Sequence, residues 1–159
     1  MQLIDKVVIF ESGREEYAIS IQSIISIEKV EFVNPIPLMP AYMRGVTKAR
    51  GELIPVIDFE AVLYRRPLKE SENARLLVVQ TEAMPLGFLV KEAKEIIDIP
   101  PDSLKQLGIA AYEKTRYFTG IAAFSERLIT MIDPDILVSS LEGMKDIQEY
   151  MKSNRAPSA

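Results

Sequence analysis

Gly45-Val46-Thr47-Lys48-Ala49-Arg50-Gly51-Glu52-Leu53-Ile54-Pro55-Val56-Ile57-Asp58 returns without a gap as Gly120-Ile121-Ala122-Ala123-Phe124-Ser125-Glu126-Arg127-Leu128-Ile129-Thr130-Met131-Ile132-Asp133, at a constant shift of 75. Gly45/Gly120, Leu53/Leu128, Ile54/Ile129, Ile57/Ile132 and Asp58/Asp133 are identical, and most other apolar positions stay apolar. Each block reads as strand, tight turn, strand and helix start, with the turn at Arg50-Gly51-Glu52 or Ser125-Glu126-Arg127.

Upstream of each block lies a second repeated unit. Val7-Val8-Ile9-Phe10 and Tyr17-Ala18-Ile19-Ser20-Ile21 flank a charged, Gly-containing connection and predict a hairpin. Leu76-Leu77-Val78-Val79 and Leu86-Gly87-Phe88-Leu89-Val90 repeat it around Pro85, at a shift of 69. The chain therefore reads as a duplication within one domain over residues 1–159. Its expected parts are a first lobe at about 7–70 and a second at about 71–138, both mainly β.

The proline-rich stretches Asn34 to Pro40 and Ile99 to Asp102 predict extended crossings between sheet edges, because proline has no N–H to give a ladder. Such crossings favour small curved barrels over flat sandwiches. Asp58 and Asp133 each precede a short helical pattern, and Pro134 suits a first helical position. They are assigned as helix N-caps and not as a catalytic carboxylate pair. Leu141, Met144, Ile147 or Gln148, and Met151 recur at helical spacing, predicting an amphipathic helix over about 139–152 packed on the lobes. Residues 153–159 are expected to be disordered.

Composition removes whole classes of chemistry. The 159 residues contain no cysteine and no histidine, so thiolate nucleophiles, Cys-ligated zinc, imidazole bases and phosphohistidine relays are absent. No Gly-rich phosphate loop, nucleophile elbow or acidic metal loop is present, and no cofactor is expected. Asp58 lacks the neighbouring acids and the parallel α/β setting of a phospho-acceptor. A net charge of -4 argues against nucleic acid, which needs a dense basic face. The opening residues lack the pattern of a signal peptide and no apolar run approaches a bilayer span, so a cytoplasmic protein without membrane insertion is expected. What remains is a duplicated scaffold that binds other proteins. On the residues alone, an OB-like nucleic-acid-binding barrel and a carboxylate-dependent hydrolase stay open as alternatives.

Val7 to about Val138 resembles the CheW-like coupling proteins of bacterial chemosensory arrays. The sharpest match runs from Gly45-Val46 through Arg50-Gly51 to Pro55-Val56-Ile57-Asp58. Lys48 and Ala49 stand where that family usually has Asn and Leu, and Glu60 where a basic residue is common. The resemblance implies two five-stranded barrels, SH3-like or OB-like, and allows a strand exchanged between them. It implies a non-catalytic adaptor between a CheA-type histidine autokinase and the cytoplasmic tip of a chemoreceptor. Carried onto matching positions, it puts the receptor groove at Val8, Ile21, Ile24, Arg50 and Ala93, each aliphatic being equally readable as core. It puts the kinase contact at barrel ends near Gly51 and Phe124.

Overall fold

The computed structural model describes residues 6–106 and 115–153. The first hairpin pattern becomes β1 (Lys6–Ser12) and β2 (Glu15–Ser20), followed by β3 (Ile24–Glu28). The first quoted block forms β4 (Met43–Ala49) and β5 (Glu52–Asp58), and α1 (Phe59–Tyr64) follows. The second hairpin is β6 (Arg75–Gln80) with β7 (Pro85–Val90), followed by β8 (Glu92–Asp98) and β9 (Leu104–Gln106). The second block forms β10 (Phe118–Phe124) and β11 (Arg127–Ile132), then α2 (Pro134–Ser140) and α3 (Met144–Ser153).

The duplication extends to individual residue pairs. Lys48 faces Leu53 across β4 and β5, and Ala123 faces Leu128 across β10 and β11. Both hairpins carry a bulge after their first pair, Met43 with Ile57 and Phe118 with Ile132. The Asp58 N–H donates to the Tyr42 carbonyl at 2.7 Å, and the Asp133 N–H to the Tyr117 carbonyl at 3.0 Å.

The sheets nevertheless do not follow the contiguous halves 7–70 and 71–138. One sheet has the order β8-β1-β2-β11-β10-β9 and the other β3-β6-β7-β5-β4. Each first hairpin has left its own repeat. β2 lies parallel to β11, pairing Ala18 with Met131, while β7 lies parallel to β5, pairing Gly87 with Val56. The exchange is thus a reciprocal swap of whole hairpins, and the two contiguous halves of the sequence cannot part without breaking both sheets.

The hairpin strands β1, β2, β6 and β7 are buried on both faces over most of their length, which explains their continuous apolar runs. Val7 and Ile9 fill the interior of the first sheet's lobe with Ala18, Ala122 and Ile129. Leu76 and Val78 fill the other lobe with Ile54, Val56 and Leu89. The alternate residues Val8, Phe10, Leu77, Val79 and Phe88 meet in a larger core between the lobes. Phe59 sits at its centre, edge-on to Phe10 at 5.0 Å and to Phe88 at 5.6 Å. The lobe interiors are narrow. A Cβ on Gly87 would come within 2.6 Å of Leu76 Cδ1, and its counterpart Ala18 is fully buried.

The expected helix over 139–152 is interrupted. Leu141 leaves α2 in extended geometry, Gly143 takes φ +84, and Pro40 packs where a Cβ on Gly143 would lie. α3 then buries Met144, Ile147 and Met151 in the inter-lobe core. Of the tail expected to be disordered, Ser153 ends α3 and residues 154–159 lie outside the described residues.

Both two-residue turns have positive φ at both central positions, as type I′ hairpins require: Arg50 (51°) with Gly51 (82°), and Ser125 (50°) with Glu126 (60°). Arg50 shares the left-handed angle with Gly51, because both central residues must turn left-handed to match the strand twist. Glu126→Gly is therefore expected to raise stability by about 0.5–1 kcal/mol, by relieving left-handed strain on a side chain. Gly51→Ala should lower it by about 1 kcal/mol, entirely through the backbone, since nothing lies within 4 Å of the added Cβ. Urea midpoints of the two variants measure both signs.

Candidate functional site

The exposed edges of the two sheets decide where an apolar partner can be met. β3 and β8 occupy equivalent edges, related by the shift of 69: Ile24 pairs with Val79 as Ala93 pairs with Phe10, and Ile27 with Leu77 as Ile96 with Val8. Directly opposed residues share a face of the sheet. Leu77 and Val8 both face the inter-lobe core, so Ile27 and Ile96 lie on that side too, at its open rim. They are 38% and 51% exposed.

Ile21, Ile24 and Ala93 pack, half-buried, against the same core and belong with this rim. Val8 does not, since it is 1% exposed and lies beneath the β8 edge beside its partner Ile96. Of that cross-strand pair, Ile96 on the edge strand β8 is the exposed member. Arg50 stands apart from these residues, at the tip of the β4–β5 hairpin, on the sheet edge remote from β3 in strand order. It is exposed and makes no hydrogen bond or ion pair among the described residues. Neither Ile27 nor Ile96 is among the candidates read from the sequence, although an isoleucine at both equivalents was a usable signal of a shared exposed position.

The barrel ends carry a second repeated apolar pair. Leu53 and Leu128 follow the two tight turns and are 40% and 65% exposed. Gly51 is exposed in its turn, and Phe124 packs half-buried against the interior of its lobe. Glu16 and Glu95 grip Arg127 beside this end, at 3.0 and 2.9 Å. The Glu16 hydrogen bond raises the Arg127 guanidinium above its ordinary value against the opposing effect of burial, keeping it charged.

The caps behave as assigned, and unequally. Asp133 Oδ1 accepts from the N–H groups of Asp135 and Ile136 at 2.9 and 3.1 Å. Asp58 is buried and does more. Its Oδ1 accepts from the Ala61 N–H at 3.0 Å, and its Oδ2 from the Leu68 N–H at 2.9 Å and Arg44 Nε at 3.0 Å. Arg44 also donates through Nη2 to the Leu68 carbonyl. Every oxygen of this carboxylate is thus committed to structure. Tyr17 and Tyr64 bring their hydroxyls to 2.5 Å. Burial first, then the Tyr64 hydrogen bond, pushes the Tyr17 hydroxyl well above the ordinary tyrosine range, so it stays protonated. Among the described residues no three His, Cys, Asp or Glu side chains stand together in a way that could hold a metal ion, and no helix is long and apolar enough to cross a membrane.

The candidate surfaces are sheet edges and turns, and comparison with known proteins says what such a fold serves. The model of the CheW-like domain matches residues 6–142. The chain belongs to the CheW-like domain family. It is 28% identical over 147 residues to Chemotaxis protein CheW of Klebsiella aerogenes, covering 92% of this chain and 88% of that protein. It is 25% identical over 135 residues to Chemotaxis protein CheW of Bacillus subtilis, covering 84% and 86%. The crystal structure of the scaffolding protein TtCheW from Thermoanaerobacter tengcongensis aligns with TM-score 0.78 at 25% identity, over 89% of this chain and 96% of that one. CheW-like proteins are scaffolding adaptors and not enzymes, and this chain is a non-catalytic chemotaxis adaptor. The expected mainly β fold with paired barrel-like lobes holds. The hydrolase and the nucleic-acid barrel are set aside by the same finding.

Proposed function

We propose that this chain works in the cytoplasm as a single domain that joins the cytoplasmic tip of a chemoreceptor to a CheA-type histidine autokinase. The receptor occupies the groove walled by β3 and β8, and the kinase docks on the barrel ends. The observation that carries this reading is the pair of repeat-equivalent isoleucines, Ile27 and Ile96, left exposed on two edge strands beside the core that joins the lobes. A duplicated scaffold offers two such edges to one partner, and Ile21, Ile24 and Ala93 extend the apolar floor between them. The adaptor biases the kinase only as far as its contacts differ in free energy between the kinase's active and inactive arrangements.

The groove and the barrel ends are separate surfaces, so the complex is tested by titrating receptor cytoplasmic fragments and soluble kinase separately. Arg50, at the β4–β5 tip beside Gly51 and apart from the groove residues, is assigned to a receptor contact outside the groove itself. Its exposed guanidinium has no partner among the described residues, so removing it deletes no contact seen there. Arg50→Ala is expected to melt within about 2 °C of the parent, since exposed substitutions cost little. Receptor affinity should fall about tenfold or more, as for an interface arginine. Loss of kinase binding instead would move Arg50 to the barrel-end surface. Unchanged binding of both partners would remove it from either.

A further inference from the structure

Two hydrogen bonds repeat across the lobe boundary. Gly13, at the tip of the β1–β2 hairpin, donates its N–H to Glu60 Oε1 at 3.3 Å. Glu82, at the tip of the β6–β7 hairpin, donates its N–H to Asp135 Oδ1 at 2.8 Å. Gly13 and Glu82 are related by the shift of 69, and Glu60 and Asp135 by the shift of 75. Each acid is the second residue of its helix. Because the hairpins are exchanged, each bond ties one sheet to the helix that follows the other: α1 leaves β5 and holds the β1–β2 tip, while α2 leaves β11 and holds the β6–β7 tip.

We propose that Glu60 and Asp135 are positioning residues, a reciprocal pair of carboxylate clasps that fix how the two lobes meet and so set the separation of the groove walls β3 and β8. The consequence for the groove rests on the function proposed above, whereas the clasps themselves do not. β3 is an edge of one sheet and β8 of the other, so groove width is a lobe-to-lobe distance. The core between the lobes is apolar, and apolar contact is non-directional, so it resists separation better than sliding. Directional bonds supply what that core lacks.

The first clasp is reinforced. Arg66 Nε holds the other oxygen of the buried Glu60 at 2.8 Å. The Tyr64 ring lies where a Cβ on Gly13 would come within 2.9 Å, and its hydroxyl meets that of Tyr17 at 2.5 Å. Lys91 Nζ donates to the Gly13 carbonyl at 3.1 Å. The second clasp is exposed and lighter, with the turn behind it tied by Thr81 Oγ1 donating to the Met84 carbonyl at 2.6 Å.

The chain has no cysteine, so Ile27→Cys with Ile96→Cys places exactly two spin labels, one on each groove wall. Three readouts are taken on the full chain: the label-to-label distance distribution, amide exchange at Gly13 and Glu82, and receptor-fragment affinity of the unlabelled protein. Glu60→Ala is expected to broaden the distribution, to speed exchange at Gly13 about tenfold, and to weaken receptor binding about tenfold, as loss of about one hydrogen bond implies. Glu60→Gln keeps one acceptor oxygen for the Gly13 N–H while giving up the Arg66 ion pair, and should recover most of each loss seen in Glu60→Ala. Asp135→Ala, exposed and therefore compatible with folding, should speed exchange at Glu82 in the same way, and decides the matter should Glu60→Ala not fold. Unchanged exchange and distances in the alanine variants overturn the proposal, as does equal loss in Glu60→Gln and Glu60→Ala. A parent protein that binds no receptor fragment overturns the proposed function alone, leaving exchange and distances to judge the clasps.

Discussion

Asp58→Ala is expected to cost about 3–5 kcal/mol of stability, against about 1 kcal/mol for Asp133→Ala, although the two aspartates are repeat equivalents. Asp133 caps α2 with one oxygen from a half-exposed position, and water can replace much of what alanine removes. Asp58 is 1% exposed and answers three donors, one of them the guanidinium of Arg44. Its loss leaves the Leu68 N–H unpaired in the interior and strips a half-buried cation of its carboxylate. Asp58→Asn should fall between, keeping one acceptor oxygen. Urea unfolding of the three variants reads the difference directly. Equal losses for Asp58→Ala and Asp133→Ala would show that the Arg44 and Leu68 contacts contribute nothing beyond the cap.

The largest functional effect is expected from a charge in the groove. Ile96→Glu should weaken receptor-fragment binding about a hundredfold or more, since a carboxylate would have to be desolvated against an apolar partner without a counter-charge. Kinase affinity should stay within about twofold, and stability within about 0.5 kcal/mol, because Ile96 is half exposed. Leu128→Glu, at the exposed barrel end, should do the reverse. It is a cleaner probe of that surface than Phe124, which also packs against the interior of its lobe and whose loss would unsettle it. If Ile96→Glu and Leu128→Glu impair both partners alike, the separation of surfaces fails.

These surfaces were visible in the sequence to different depths. The Arg50 turn could be placed because a glycine in a charged dipeptide between apolar runs is a local signal. The exposure of Ile27 and Ile96 could not, because an isoleucine on an edge strand and one on a central strand have the same neighbours in the chain. Val8 illustrates the converse: it alternates as a contact residue would, and β8, which pairs beside it, is drawn from more than eighty residues away.

The sequence by itself determined the duplication, the hairpins, the two N-caps and the family, because these rest on backbone geometry and side-chain bonds spanning a few residues. Only the tertiary structure decided that the hairpins change places. Both repeats carry the same alternation and a small residue, Ala18 or Gly87, at the parallel contact, so a hairpin meets similar edges in its own repeat and in the other. Closure of the whole chain chooses between them, and that choice creates what no local pattern encodes: the core between the lobes, the exposed edges at its rim, and the Glu60 and Asp135 bonds that span it.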